Sequence, residues 1–242
     1  MRVRGGPNLF GFSVGILMLD TQFPRIPGDI GNAETFDFPV RYHRVTGASP
    51  DRVVRQGDQD LLPGFLEGAR FLEREGVAAI TTSCGFLAKF QHELTSAVSV
   101  PVFTSSLLLV PLVHRMLTPG KAVGIITVDA SSLRPAHYAG AGIGPDVPVR
   151  VAGLETEKEF TRVLLDDMME LDVDTARAEH VKVARRLVAD HPEIGAIVLE
   201  CTNMPPFRAD IQHATGLPVF DITTLVRMVR DAVRHGLPPR PA

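Results

Sequence analysis

The chain repeats itself. Val77-Ala78-Ala79-Ile80-Thr81-Thr82-Ser83-Cys84 aligns without a gap on Ile194-Gly195-Ala196-Ile197-Val198-Leu199-Glu200-Cys201, at an offset of 117 residues. At the same offset Phe90 falls on Phe207, Ala97 on Ala214, Pro101-Val102-Phe103 on Pro218-Val219-Phe220 and Leu108 on Leu225. A weaker echo relates Gly15–Asp20 to Gly124–Asp129 at an offset of 109. Any two units of strand and helix share apolar runs and a proline before a strand. This chain, however, has only two cysteines, and both occupy the same point of the repeat. Each half therefore carries strand, cysteine turn, helix, short strand and helix in one order, and the fold must accommodate two copies of that unit.

The unit is of α/β type. Short runs rich in Val and Ile (Val14–Leu19, Val77–Thr82, Val100–Phe103, Ala122–Val128, Val147–Val151, Ala196–Leu199 and Pro218–Phe220) alternate with longer amphipathic stretches, the pattern of βαβ units and a parallel sheet. Helices are expected over Asp60–Glu75 and Thr175–Ala189, the latter capped by Asp174-Thr175. The segment from Gln22 to Pro50 fits neither period and is expected as a long loop. Within it Asp29 and Asn32 are candidates for a lid over a ligand, although turn chemistry explains both residues. Thr104, Ser105 and Ser106 are expected to cap a helix. His137 and His213 are expected on helix surfaces.

With 242 residues, 45% hydrophobic and 22% charged, the chain can bury a sizeable core. Its net charge of -3, with dispersed arginines, provides no footprint for nucleic acid. No apolar run approaches the ~20 residues that cross a bilayer. Met1-Arg2-Val3-Arg4 followed by Phe12–Leu19 superficially resembles a signal segment. Asp20 ends the run without a cleavage signal, so the stretch reads as a buried strand and the protein as cytoplasmic. Homo-oligomerisation is left open.

Two cysteines do not make a secreted disulfide framework and are expected as free thiols in a reducing compartment. Each follows a strand, past its carboxyl end where parallel sheets bind ligands, and each precedes a helix start. Backbone N–H groups there lower thiol pKa values and grip carboxylates. Two thiols on opposite faces of one ligand suit inversion at carbon, one removing a proton as thiolate and the other supplying one as thiol. An inert buried cysteine and a redox disulfide are the alternative readings. No metal is implied, since the histidines lack HxH or HExxH spacing. No pyridoxal phosphate is implied either, since Lys89, Lys121, Lys158 and Lys182 lie in no recognisable Schiff-base context. The expected partner is a small carboxylate-like molecule.

Leu199-Glu200-Cys201-Thr202-Asn203-Met204-Pro205 is similar to the L-G-C-T-x-x-P segment of the aspartate/glutamate/hydantoin racemase superfamily, which the chain resembles over nearly its full length. Thr81-Thr82-Ser83-Cys84-Gly85-Phe86 lacks the C-N-T of glutamate and aspartate racemases and looks more like hydantoin racemases. Val123–Ser131 looks like the family's strand and G-T turn, with Ala130-Ser131 in place of Gly-Thr, and Tyr138 follows at about the family's spacing. The resemblance implies two flavodoxin-like lobes with parallel sheets related by a pseudo-two-fold axis, the site in the cleft between them, and a C-terminal helix returning to the first lobe. The lobes would comprise residues 1–104 plus 221–242, and 105–220. It further implies a cofactor-independent racemase or epimerase with Cys84 and Cys201 catalytic. Substrate contacts would come from Asp20, Thr21 and Asn32 after the first strand, from Ser83, Gly85 and Phe86, from Thr127 and Ser131, and from Thr202 and Asn203. Asn203 stands where glutamate racemases have His and aspartate racemases Glu. Asp20 is either a partner for a thiol or a strand-end cap. Rival functions are a maleate-type isomerase, a malonate-type decarboxylase and a non-catalytic small-molecule binding protein.

Overall fold

The computed structural model describes residues 10–233, so the basic start of the chain and residues 234–242 lie outside it. Eight strands, β1 (Val14–Met18), β2 (Val40–Arg44), β3 (Ala79–Thr82), β4 (Val102–Phe103), β5 (Ala122–Thr127), β6 (Val149–Gly153), β7 (Ile194–Leu199) and β8 (Val219–Phe220), form two four-stranded sheets. Their orders, β2-β1-β3-β4 and β6-β5-β7-β8, are the same order written twice, and every pairing is parallel. The helices are α1 (Leu62–Arg74), α2 (Gln91–Ala97), α3 (Val110–Met116), α4 (Pro135–Gly140), α5 (Phe160–Leu165), α6 (Val173–Asp190), α7 (Arg208–Thr215) and α8 (Ile222–Val233). Among the described residues no helix is long and apolar enough to cross a membrane.

Central strands are buried on both faces, as parallel sheets require. Their alternate residues therefore feed two cores. Leu17, Ile80, Ile126 and Ile197 point into one, and Ile16, Ala79, Ile125 and Val198 into the other. The weaker echo has a packing cause. A side chain on Gly15 would meet Leu72 of α1 at 3.0 Å, and one on Gly124 would meet Leu187 of α6 at 3.3 Å, so each glycine admits the leucine of the helix lying on its sheet. Helix α8 lays Ile222, Leu225 and Val226 into the core shared with Val14 and Ile16, and its Arg227 donates to the Thr35 carbonyl at 3.1 Å.

Three expectations need correction. The Gln22–Pro50 segment holds a strand, β2, whose sequence VRYHR carries only Val40 and Tyr42 as apolar positions because it is a half-exposed edge. Helix α6 is capped two residues earlier than expected, by Asp172, whose carboxylate accepts from the N–H groups of Asp174 and Thr175. His137 is buried rather than on the surface. Its ring meets the edge of Phe86 at 5.2 Å, and burial pulls its pKa down to about 4. His213 is exposed, and Ser105 caps the turn over Ser106–Leu109 by accepting from Leu107 N–H.

Candidate active site

Both cysteines sit two residues beyond a central strand, Cys84 after β3 and Cys201 after β7. The turns are pinned in the same way. The residue before each cysteine donates its N–H to the neighbouring strand, Ser83 to Leu17 O and Glu200 to Ile126 O, both at 2.8 Å. The turns also touch each other. Thr202 Oγ1 donates to Ser83 O at 2.6 Å, and Ser106 Oγ donates to Leu199 O at 2.6 Å. Gly85 lies so close to Glu200 that a Cβ there would stand 2.2 Å from Oε1 and 2.3 Å from the carbonyl oxygen. The repeat thus brings together two turns that are more than 100 residues apart in the chain.

Between them lies a small cavity of about 20 Å³, room for a single water. Leu19, Phe23, Pro50, Val54 and Ser83–Phe86 line it on one side, and Val128, Leu164, Leu165, Glu200, Cys201 and Asn203 on the other. Two straps hold these walls together. Asp167, with φ of 53°, accepts from Gln22 N–H at 2.8 Å and Phe23 N–H at 3.2 Å, while Arg55 pairs with Asp166 at 2.8 Å.

Of the residues expected at the site, Cys84, Cys201, Ser83, Gly85, Phe86 and Asn203 line the cavity. The others are engaged elsewhere. Asp20 caps its strand end by accepting from Gly47 N–H and pairing with Arg44, and Thr21 accepts from Arg25. Asn32 is tied into its own loop through Arg25 O and Glu34 N–H. Ser131 is exposed and hydrogen-bonded to Asp129. Thr202 and Thr127 are buried and act through neighbours, Thr127 by donating to Glu200 Oε2 at 2.7 Å. Asp29 packs its loop onto the Cys201 turn. It is buried and closes a chain in which Arg25 donates to Oδ1 at 2.9 Å and Asn203 Nδ2 donates to Oδ2 at 2.6 Å. Because a carboxylate only accepts, this contact fixes the Asn203 amide so that Oδ1 faces Cys201 and accepts its S–H at 3.5 Å. In this state Cys201 is a neutral thiol.

The thiols run opposite to the expectation of low pKa values. Burial, followed by the neighbouring Glu200, pushes Cys84 up to about 12 and raises Cys201 well above its ordinary value. The Phe86 and Asn203 N–H groups facing the two sulfurs pull the other way and are outweighed. The α-helices begin only at Gln91 and Arg208, after short 3₁₀ turns, so little helix dipole reaches either sulfur. Both cysteines are free.

Sequence reading missed Glu200 as a functional group. It is fully buried between the cysteines, Oε1 has no hydrogen-bond partner, and burial lifts its pKa to about 8 against the hold of Thr127. The signal was in the motif itself, where the family's L-G-C-T has glycine and this chain has Glu200.

Dimethylsulfoniopropionate lyase of Durusdinium sp. clade D is 34% identical over 96% of this chain and 79% of that protein. Dimethylsulfoniopropionate lyase 6 of Emiliania huxleyi (strain CCMP1516) is 32% identical over 88% of this chain, which spans only 57% of that relative. Unliganded arylmalonate decarboxylase superposes with a TM-score of 0.62 at 16% identity, covering 96% of both chains. The aspartate racemase of Picrophilus torridus does so with 0.58 at 14% identity, covering 93% of this chain and 96% of that one. At these identities the two structures show a shared fold and no more. The Asp/Glu/Hydantoin racemase model matches residues 45–228, and with the two-sheet fold and the relatives this establishes that the chain belongs to the Asp/Glu/hydantoin racemase family of enzymes.

Proposed function

We propose that the chain is a lyase that removes the proton α to the carboxylate of dimethylsulfoniopropionate, or of a close β-onium carboxylate, and expels the β substituent. The observation that carries this is the arrangement of two thiols and one carboxyl around a small, mostly apolar cavity. The curated relatives supply the substrate class. The step balances without a cofactor. A cysteine thiolate takes the α proton, the electron pair left on carbon forms the C=C bond, and the C–S bond breaks onto sulfur, giving acrylate, dimethyl sulfide and one proton on the enzyme.

An α proton next to a carboxylate is weakly acidic, so its removal needs a strong base. A thiol held at high pKa by burial is a strong base once ionised. The dry walls of Leu19, Val54, Val128, Leu164 and Leu165 remove the water that would weaken it. The substrate carboxylate is held by the backbone N–H groups of the two cysteine turns, those of Phe86 and Asn203 among them. Among the lining side chains no lysine or arginine competes for it. The cavity as it stands holds about one water, so binding requires the straps at Asp167 and Arg55 to open.

A second reading, racemisation or epimerisation of a small carbon acid, is favoured by the presence of both thiols, because elimination needs one base whereas inversion needs an acid on the opposite face. One NMR experiment in D₂O separates the two. Dimethylsulfoniopropionate should give acrylate and dimethyl sulfide, while single enantiomers of amino acids and hydantoins should keep their α proton. Deuterium incorporation with inversion in the panel, and none of the two elimination products, would replace the lyase by a racemase.

A further inference from the structure

The two halves of the repeat place different residues before their cysteines, Ser83 in one and Glu200 in the other. Ser83 Oγ accepts from Leu19 N–H and is satisfied. Glu200 is not, since Oε2 accepts from Thr127 while Oε1, fully buried, has no partner and belongs to the cavity wall. A buried unpaired carboxyl oxygen is costly and marks a place where a ligand group is expected. Phe23 and Phe86 line the same cavity from the opposite side, and aromatic faces attract onium groups. Among the described residues, Glu200 is also the only ionisable side chain of the lining besides the two cysteines.

Resting on the lyase reading above, we propose that Glu200 is the specificity-determining residue that receives the cationic β-onium group of the substrate, with Phe23 and Phe86 as its aromatic walls. The same carboxyl would repel the carboxylate end, so it also fixes which way round a zwitterion lies between the thiols. An onium group near the leaving position places that charge beside Glu200 in the ground state and releases it as a neutral sulfide, which the apolar wall accepts. In the empty site Glu200 is held largely protonated at neutral pH by burial. The groups that sense its charge are Cys84, Cys201 and Tyr138, and Lys89 lies near Cys84. Onium binding therefore drives Glu200 to its carboxylate form and releases a proton.

The test is binding, not turnover, and uses two non-substrate probes of the same shape, 3-(trimethylammonio)propanoate and the neutral-tailed 4,4-dimethylpentanoate. Titration calorimetry of the full-length wild type at pH 7 should favour the cationic probe by about tenfold or more. Glu200→Gln should abolish that preference while retaining the neutral probe. Repeating the wild-type titrations in two buffers of different ionisation enthalpy should show close to one proton released with the cationic probe and none with its neutral counterpart. That measurement needs no variant and stands if Glu200→Gln does not fold. Equal affinity of the wild type for both probes, an unchanged preference in Glu200→Gln, or no difference in proton release would overturn the assignment. Discrimination without dimethyl sulfide production would retain the onium pocket and remove the lyase. Production without discrimination would do the reverse.

Discussion

Replacing Glu200 by glutamine should change how stability depends on pH, in a direction fixed by its burial. In the unfolded chain this carboxyl ionises near its usual value of 4.5, whereas in the folded protein it resists until about 8. A folded-state pKa raised in this way means that the contribution of Glu200 is fully present below about pH 4.5 and is lost as pH rises toward 8. Within that window the wild type should lose about 1.4 kcal/mol per pH unit relative to Glu200→Gln, as an upper limit. Between pH 5 and 7 the relative loss is then about 2–3 kcal/mol, or roughly 5–10 °C in Tm for a chain of this size. His137 and His180, whose pKa values burial pulls down to about 4, titrate inside the same window but are common to both proteins and cancel in the difference. The assay is urea unfolding of the two proteins at pH 5, 6, 7 and 8. Parallel profiles would refute the buried, high-pKa state of Glu200, and a difference of the opposite sign would mean that it is ionised and paired in the folded protein.

Three further outcomes follow from the same geometry. Gly85→Ala forces a methyl group against the Glu200 carboxyl and carbonyl. It should cost about 1–3 kcal/mol and most of the activity, which thermal unfolding and a turnover assay would read together. Glu200→Gln should also lower the pH at which both thiols react with iodoacetamide, because Glu200 is the second cause, after burial, of their raised pKa values. An unchanged alkylation midpoint would count against that coupling. Asp167→Ala removes the acceptor for Gln22 and Phe23 N–H groups. It should loosen the strap, lower Tm by a few degrees at about 1–2 kcal/mol and raise the rate of thiol alkylation.

The sheets were legible because buried parallel strands announce themselves as apolar runs, and the repeat supplied the order of elements twice. Strand β2 was not, since an edge strand such as VRYHR needs only one apolar face. The cysteines were found because their register in the repeat is a property of the sequence alone. Burial is not such a property. Helix-start N–H groups suggested acidic thiols, and the three-dimensional packing of Leu19, Val128 and Leu164 around them, with Glu200 between, reverses the direction. Polar residues close to a motif in sequence were similarly poor guides. Ser131 and Asn32 satisfy their own turns, whereas Asp29, more than 170 residues from Asn203, fixes the amide that faces Cys201.

The most direct measurement of the central claim is the release of dimethyl sulfide and acrylate from dimethylsulfoniopropionate by the wild type, Cys84→Ser and Cys201→Ser, each checked for an unchanged fold by circular dichroism. The account predicts the two products in a one-to-one ratio from the wild type. It predicts loss of at least about 10²-fold in the serine variant of the cysteine that serves as base, because a hydroxyl does not ionise to replace a thiolate. No product from the wild type, or undiminished release by both variants, would contradict it.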